Sequence, residues 1–414
     1  MKFTKMSLVA ALLVGSSAFA IENVKVSGDA KLYYSTTENN GNSAFSKEAS
    51  AGQAAVSLSL GADLGAGVST GVKATALSTL GLEGQLVNNV WEATNGTADS
   101  YIVNEAWLAT TLGKTTAKIG RMELDTPLVF SEKWSIVANS FEAAVVINQD
   151  IPDTVLVGAY VGGTNSQAVN NGPLSAPVAK AGGGIGGVIQ KTSNETTFDQ
   201  FYSGAYAIAA INNSFKPLVV QAWYFQATTN EKVSATNTLR GVKASWIQAD
   251  LNMDGILAGV QYSGLTLDTD AAKIDTSALA VMVGYAMKDT VTAKLSYSVI
   301  AKDHSAGFNL AGTGQSKLYT EAWLNYGHIT AADMSTVNLT VEAPAVAGMA
   351  DLGLYVTAAD QGNTKAKYTE IAITAGTTMG PLDAELAVIY AEVDDTAGAT
   401  DKSETIQARL AYNF

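Results

Sequence analysis

Residues that could carry out catalysis are scarce in this chain. It contains two histidines, His304 and His328, and no cysteine. Hydrolysis requires a nucleophile beside a positioned base, and a catalytic metal site requires several ligands close together. Neither histidine has such a partner at the level of motif. Ser305 adjoins His304, but neighbouring residues on a strand point to opposite faces. We therefore expect no enzymatic activity, no metal site and no cofactor.

Charged side chains that could guide a solute, without catalysing a reaction, are concentrated in residues 118–143, KIGRMELDTPLVFSEKWSIVANSFEA. A strand is predicted to end near residue 124, and a loop follows. Side chains of both signs can attract and orient charged solutes there, because a narrow low-dielectric passage strengthens their fields. We predict that five of them form a selective constriction: Asp125, Glu132 and Lys133 on the loop, with Arg121 and Glu123 beneath it. The alternatives are that Arg121 and Glu123 only form a pair across a wall and that Lys133 lies in solvent.

The elements that position these residues are β-strands, and the end of the chain shows the pattern best. In residues 405–414 one face carries Ile406, Ala408, Leu410, Tyr412 and Phe414, and the other carries Gln407, Arg409, Ala411 and Asn413. Period-two alternation of this length is typical of a strand in a membrane barrel, with its apolar face toward lipid. Residues 23–34 alternate in the same way, as expected if the first strand pairs with the last to close a barrel.

Similar segments recur throughout the chain, with no repeat of 20–50 residues and no domain boundary. We predict about 18 strands, the others lying near residues 53–60, 68–78, 99–111, 115–124, 140–148, 154–162, 199–210, 217–228, 238–250, 255–266, 276–287, 291–299, 336–343, 350–358, 365–376 and 382–390. Residues 317–327 could form one more. A closed antiparallel barrel with both termini on one side needs an even number, so we place that segment in an outer loop.

The connections alternate between short and long. Gly, Pro or Asp occupy the tight turns at residues 63–67, 112–114, 149–153, 287–290 and 379–381. Longer polar stretches lie between them, such as residues 38–50, 79–98, 163–198 and 392–403. Short periplasmic turns opposite long outer loops are the asymmetry of outer-membrane barrels.

Composition favours the same fold. Apolar residues make up 47% of the chain and charged residues 15%, yet no stretch after residue 20 approaches the ~18 apolar residues of a spanning helix. A membrane chain without such helices must close its sheet, and about 18 strands enclose an aqueous channel. The fold class predicted for residues 21–414 is an all-β transmembrane antiparallel barrel in one domain. On its polar faces we predict five residues that face the lumen: Lys25, Asp29, Lys31, Lys294 and Arg409.

Both ends of the chain carry export signals. Lys2 and Lys5 precede a short apolar run, and residues 18–20 form an Ala-Phe-Ala cleavage site. This is the layout of a signal peptide spanning residues 1–20. The aromatic pair Tyr412 and Phe414 resembles the signal that the outer-membrane assembly machinery reads. We expect the protein to lie in the bacterial outer membrane, in contact with its lipids and lipopolysaccharide.

Residues 118–143 also resemble the OprD-type porins, including the major outer-membrane porins of epsilonproteobacteria. The shared pattern is Gly120-Arg121, Leu124, Thr126-Pro127 and Ser140-Phe141-Glu142, with Ala138 where a proline is common. Residues 365–414 match the family's order of strand, turn, strand, acidic loop and closing strand. The resemblance implies a barrel of about 18 strands, possibly trimeric, with loops folded into the pore. OprD-type porins often carry a row of arginines that guides charged solutes along the lumen. This chain has only three arginines, Arg121, Arg240 and Arg409, so it cannot form a long row of this kind.

The function that these patterns favour is passive diffusion of small hydrophilic solutes and ions. Removing Lys2 and Lys5 would change the formal charge from −13 to −15, which argues against nucleic acid as a partner and favours a cation-leaning pore. The alternative is an adhesin or structural envelope protein that acts through its outer loops, above all residues 163–198. An outer-membrane enzyme and a soluble secreted β-protein fit less well.

Overall fold

The computed structural model describes residues 22–78, 100–133, 136–166, 191–192, 195–196, 198–234, 237–312, 314–324, 326–346, 348–394 and 399–414. The predicted signal peptide lies outside these residues and stays a prediction. Among the described residues, no helix is long and apolar enough to cross a membrane.

Eighteen strands form the wall, as the alternation predicted. They are β1 (Glu22–Glu38), β2 (Ser50–Gly65), β3 (Val68–Ser78), β4 (Ser100–Leu112), β5 (Thr115–Met122), β6 (Phe141–Asn148), β7 (Thr154–Thr164), β8 (Asp199–Asn212), β9 (Leu218–Ser234), β10 (Asn237–Met253), β11 (Ile256–Thr269), β12 (Lys273–Met287), β13 (Val291–Ile300), β14 (Met334–Val346), β15 (Ala350–Gln361), β16 (Lys367–Met379), β17 (Leu382–Asp394) and β18 (Thr400–Asn413). Two further two-residue strands, Lys191–Thr192 and Glu195–Thr196, pair with each other, and Glu195 also pairs in parallel with Tyr101 of β4.

Each wall strand pairs antiparallel with the next, and β1 pairs with β18 to close the sheet. Tyr33 lies opposite Arg409 and Leu32 opposite Leu410 in this closing pair. The backbones of Gly28 and Phe414 exchange two hydrogen bonds, of 2.7 and 2.9 Å. The prediction that the first and last strands meet is therefore confirmed, and the wall has no free edge.

The two faces of the wall differ as the sequence pattern predicted. On β12, Val281 and Val283 are 44% and 61% exposed on the outer face, whereas Ala278 and Ala280 are each 1% exposed on the inner face. An apolar outer face suits lipid, because hydrocarbon offers no hydrogen-bond partners to polar side chains. The interior beside β12 is filled rather than open, because small inward side chains leave room for inserted loops.

All eight connections at the end of the barrel that holds both termini are tight, and they include the five predicted turns. Several contain residues with positive φ that favour Gly or Asp, such as Gly67 at 74° and Asp254 at 53°. The opposite end carries the long connections, but four of its links are short: residues 235–236, 270–272, 362–366 and 395–399. The prediction of short turns at one end is therefore confirmed, whereas the prediction of long loops at the opposite end holds for only some of its connections.

Two long connections fold into the barrel. We call residues 123–140, between β5 and β6, loop A, and residues 301–333, between β13 and β14, loop B. The 317–327 segment lies in loop B and forms no wall strand, as predicted. Loop B fills the β8–β12 side, where its Phe308, Leu310 and Leu318 pack in one buried cluster with wall residues such as Trp223, Phe225 and Trp246.

Candidate functional site

Loop A is anchored to the β1–β4 wall by apolar contacts. Ile136 and Val137, each 6% exposed, form a buried cluster with four wall side chains, Tyr33, Ala55, Leu77 and Ile102. Removing such side chains from water stabilises the docked loop by about 1.5–3 kcal/mol each. Loop A is therefore held against the inner face of the wall next to the strand from which it starts.

Loop A is also joined to loop B through Asn309. The Asn309 Nδ2 donates hydrogen bonds to the Phe130 carbonyl at 2.9 Å and to Glu132 Oε1 at 3.1 Å, and its Oδ1 accepts from the Phe130 amide at 3.2 Å. The Leu310 amide donates to the Leu128 carbonyl at 2.8 Å. One buried amide side chain thus satisfies both backbone groups of Phe130, and the two loops form one inserted body.

Loop B is fixed to the wall by Glu370 of β16. This carboxylate is 1% exposed, and it accepts hydrogen bonds from the backbone amides of Trp323 at 2.6 Å and Leu324 at 3.1 Å and from the Tyr368 hydroxyl. The Trp323 ring packs on Tyr355 with centroids 5.0 Å apart. A buried carboxylate that receives several donors is well compensated for its loss of water.

A cavity of about 370 Å³ remains between loop A and the wall formed by β1 and β15–β18. Its lining includes Lys133 and Ile136 from loop A, and Lys31, Tyr33, Asp351, Asp383, Glu385 and Arg409 from the wall. Three cationic and three anionic side chains therefore meet around one space inside the barrel. Such a space can bind hydrophilic solutes weakly without presenting one uniform charge.

The charges around this cavity are partly paired. Lys31 lies 3.3 Å from Asp29, Arg409 lies 3.9 Å from Glu385, and Lys133 lies 3.0 Å from Glu123. The Arg409 guanidinium also lies 5.4 Å from the Tyr33 ring centroid. The hydrogen bond to Glu123 raises the pKa of Lys133, against the opposing effect of partial burial. Lys133 therefore keeps its positive charge at neutral pH.

The five predicted constriction residues do not all lie together. Glu123 and Lys133 form an ion pair, and Lys133 reaches the cavity. Asp125 is paired with Lys317 of loop B. Glu132 is fully buried between the loops, so it supports the constriction without facing the passage. That Asp125, Glu123 and Lys133 set selectivity stays a prediction.

Arg121 requires a correction, because it lies on the outer face of the wall. The register pairs it with the exposed Ala106 and with Glu142, and it forms an ion pair with Glu142 at 2.8 Å. Its guanidinium lies 3.6 Å from the Phe198 ring centroid. The strand alternation that turns Met122 inward necessarily turns Arg121 outward. The sequence showed the alternation but not which parity faced the lumen at this strand end.

The five predicted lumen residues, Lys25, Asp29, Lys31, Lys294 and Arg409, have the inward parity of their strands. Lys31 and Arg409 also line the cavity, whereas Lys294 is paired with Glu342 at 3.7 Å. Tyr412 and Phe414 are 48% and 57% exposed on the outer face beside the closing seam. Their role as an assembly signal stays a prediction.

No protein-family model matches the sequence, and no curated protein matches it. Solved structures do match its fold, among them several from Pseudomonas aeruginosa. OpdK with vanillate has a TM-score of 0.69 and 13% identity, over 95% of this chain and 99% of OpdK. OccK3 (OpdO) and OccK8 (OprE) each have a TM-score of 0.68 and 12% identity, over 95% of this chain and 96% and 98% of theirs. The fold is that of OprD-type porins. The resemblance to OprD-type porins, inferred from the motifs, is thus confirmed at the level of the fold. The more specific resemblance to the porins of epsilonproteobacteria stays untested.

Sequence reasoning missed the residues that hold the inserted loops of this porin fold. Asn309 and Glu370 carry no motif, and the contacts by which they hold the loops are to residues distant in sequence. The alternation did contain one usable signal: Glu370 has the inward parity of β16, where a carboxylate needs donors from elsewhere. Most of residues 163–198, the predicted adhesive loop, lies outside the described residues.

Proposed function

We propose that the protein is an outer-membrane porin through which small hydrophilic solutes and ions diffuse passively. The observation that carries this proposal is the charged cavity between loop A and the wall, inside a closed barrel with an apolar outer face. A cavity bounded by a loop and a polar wall limits the size of a solute. The paired charges around it hold a solute weakly, so that it can leave.

The pore is proposed to favour cations slightly. The cations and carboxylates that line the cavity balance each other in number, so the preference would come from the acidic chain as a whole, with a formal charge of −13. Fields of a charged surface are screened within about 8 Å at physiological salt. The preference should therefore be small and should weaken as salt is raised.

The remaining parts of the proposal concern the setting of the barrel. Export would use residues 1–20, and insertion would use the assembly machinery and the terminal aromatic residues. The mature barrel would contact lipid and lipopolysaccharide and would have no enzymatic activity. Assembly as a homotrimer also stays a prediction.

The test is conductance of the refolded protein in planar bilayers, with the reversal potential measured under a KCl gradient. We expect stepwise, long-lived openings with a small cation preference. Arg409→Gln removes a cavity cation and should move the reversal potential further toward cation selectivity. Lys243→Gln is the matched control, because Lys243 is exposed on the outer face and paired with Asp268 at 3.3 Å. Folded protein that inserts without conducting would refute the proposal.

A further inference from the structure

A recess on the outer face of the wall holds the ion pair formed by Arg121 and Glu142. Its volume is about 560 Å³, and strands β4–β7 line it. Among the described residues that line this outer recess, only Arg121 and Glu142 carry a formal charge, and the others are small, apolar or aromatic, such as Ala106, Ile119 and Ala144. Two charges thus stand in a surface that otherwise suits lipid. Passage of solutes through the lumen does not explain them.

The strand register places this ion pair just beyond an aromatic level of the wall. Arg121 lies opposite Glu142 on the neighbouring strand. One outward-facing row nearer the tight turns contains Ile119 and Tyr160, and the Tyr160 ring packs on Tyr206 with centroids 5.2 Å apart. Girdles of aromatic residues mark the levels where hydrocarbon meets lipid headgroups, and short turns mark the periplasmic end. The ion pair therefore lies at the headgroup level of the outer leaflet.

The wall is low at this place. β5 and β6 have 8 residues each, fewer than the ~9–11 of a spanning strand. At the usual rise and tilt such strands cover about 20 Å, compared with an apolar band ~25 Å tall. A bilayer thins beside a short hydrophobic span. Lipid headgroups of the outer leaflet therefore come within reach of Arg121 and Glu142.

Arg121 is held in place but keeps unused hydrogen-bond donors. Its Nη1 donates to the Val103 carbonyl at 3.0 Å, and its Nη2 donates to Glu142 Oε1 at 2.8 Å. The Phe198 ring covers the guanidinium, with 3.6 Å between Cζ and the ring centroid. Two of the five guanidinium N–H groups are thus used, and one on each terminal nitrogen has no acceptor among the described residues. The Glu142 side chain is 50% exposed, so its second oxygen can also accept.

We propose that the outer recess binds an outer-leaflet lipid that carries phosphoethanolamine, with the phosphate on Arg121 and the ammonium group on Glu142. A guanidinium suits a phosphate, and a carboxylate suits an ammonium group. An ion pair has no net charge with which to attract a simple anion, whereas its two adjacent charges orient a zwitterion. The small side chains of Ala106 and Ala144 leave room beside Ile119 for the first methylene groups of the lipid. This inference goes beyond permeation and does not rest on it.

The test is native mass spectrometry of the full barrel released from nanodiscs that contain equal amounts of phosphatidylethanolamine, phosphatidylglycerol and phosphatidylcholine. The wild type should retain phosphatidylethanolamine at least about tenfold over either other lipid, because Glu142 repels a net anion and a quaternary ammonium has no N–H to donate. Arg121→Gln and Glu142→Gln should each lower this retention at least about tenfold, the value of one charged hydrogen bond. Lys243→Gln is the matched control, because it removes an outer-face cation paired with Asp268 outside the recess.

A photoactivatable phosphatidylethanolamine locates the site. Its crosslinks should fall in peptides that contain residues 119–121 and 142–144 and should be lost in Glu142→Gln. Phosphatidylglycerol retained as well as phosphatidylethanolamine, wild-type retention in both variants, or crosslinks confined to other faces would overturn the proposal. Crosslinks between two barrels through the recess, in place of lipid, would overturn it in favour of a second copy of this chain. If Arg121→Gln fails to fold, Glu142→Gln carries the test, and no readout requires a conducting pore.

Discussion

Replacing Glu370 by alanine should free one end of loop B while leaving the barrel wall intact. The change removes the acceptor for the Trp323 and Leu324 amides and for the Tyr368 hydroxyl. A buried donor left without a partner costs about 1–3 kcal/mol, so two backbone amides together cost about 2–6 kcal/mol. Every ~1.4 kcal/mol is a factor of ten. Protection of these amides against hydrogen exchange should therefore fall at least about 30-fold.

Two further variants sharpen this measurement, made by mass spectrometry on peptides spanning residues 320–326. Glu370→Gln keeps one carbonyl oxygen in place and should lose less than about tenfold in protection, because neutral hydrogen bonds are roughly half as strong as charged ones. The matched control is Glu392→Ala on β17. Glu392 also accepts from a tyrosine two residues earlier, Tyr390, at 2.5 Å, but on the outer face. Wild-type protection in Glu370→Ala, or equal losses in Glu370→Ala and Glu392→Ala, would show that Glu370 does not anchor loop B.

Three other changes test separate parts of the structure. Ile136→Ala should weaken docking of loop A by about 2–5 kcal/mol through the lost apolar contacts, and single-channel recording should show larger, noisier openings; unchanged openings would contradict the anchoring role. Gly120→Ala places a Cβ against the Ala106 carbonyl at a backbone φ of 125°. It should lower the folded fraction, measured as the heat-sensitive shift in electrophoretic mobility. Gly376→Ala should fold normally, because the nearest atom to its added Cβ lies 3.8 Å away. Phe414→Ala should reduce the yield of assembled barrel in cells, measured by the same shift; an undiminished yield would argue against an assembly role for this residue.

The wall could be predicted from the sequence because its rules are local. Most strands were indicated by period-two alternation, although residues 217–228 are apolar on both faces, and turns were indicated by Gly, Pro and Asp. The face that each residue occupies follows from parity alone once one inward residue is known. Arg121 shows the limit of this reasoning. It lies next to the end of its strand, and we predicted it at the constriction, whereas its side chain lies on the outer face of the wall.

The interior could not be predicted in the same way, because it depends on contacts between distant segments. Phe130 and Asn309 are 179 residues apart, and Trp323 and Glu370 are 47 apart. Nothing in the pattern around Asn309 indicates that its amide pairs with another loop. The loop in residues 118–143 was expected at the constriction, but the 317–327 segment was placed in an outer loop, although loop B places apolar side chains such as Phe308 inside the barrel. Apolar residues of the kind usually buried, found within a connection, were a second available signal besides the inward parity of Glu370.

The closing seam has a consequence for how quickly the molecule can form. Thr37 and Thr405, hydrogen-bonded at 2.9 Å across that seam, are 368 residues apart in the chain. Contacts of such long range are slow to form, because the chain loses the entropy of bringing distant segments together before the contacts between them stabilise it. Until the final residues arrive, β1 presents an unpaired edge that could join strands of other chains. The open sheet is thus more prone to aggregate than the closed barrel. Helper proteins that cover β1 before closure would raise the yield of closed barrels without changing their final stability.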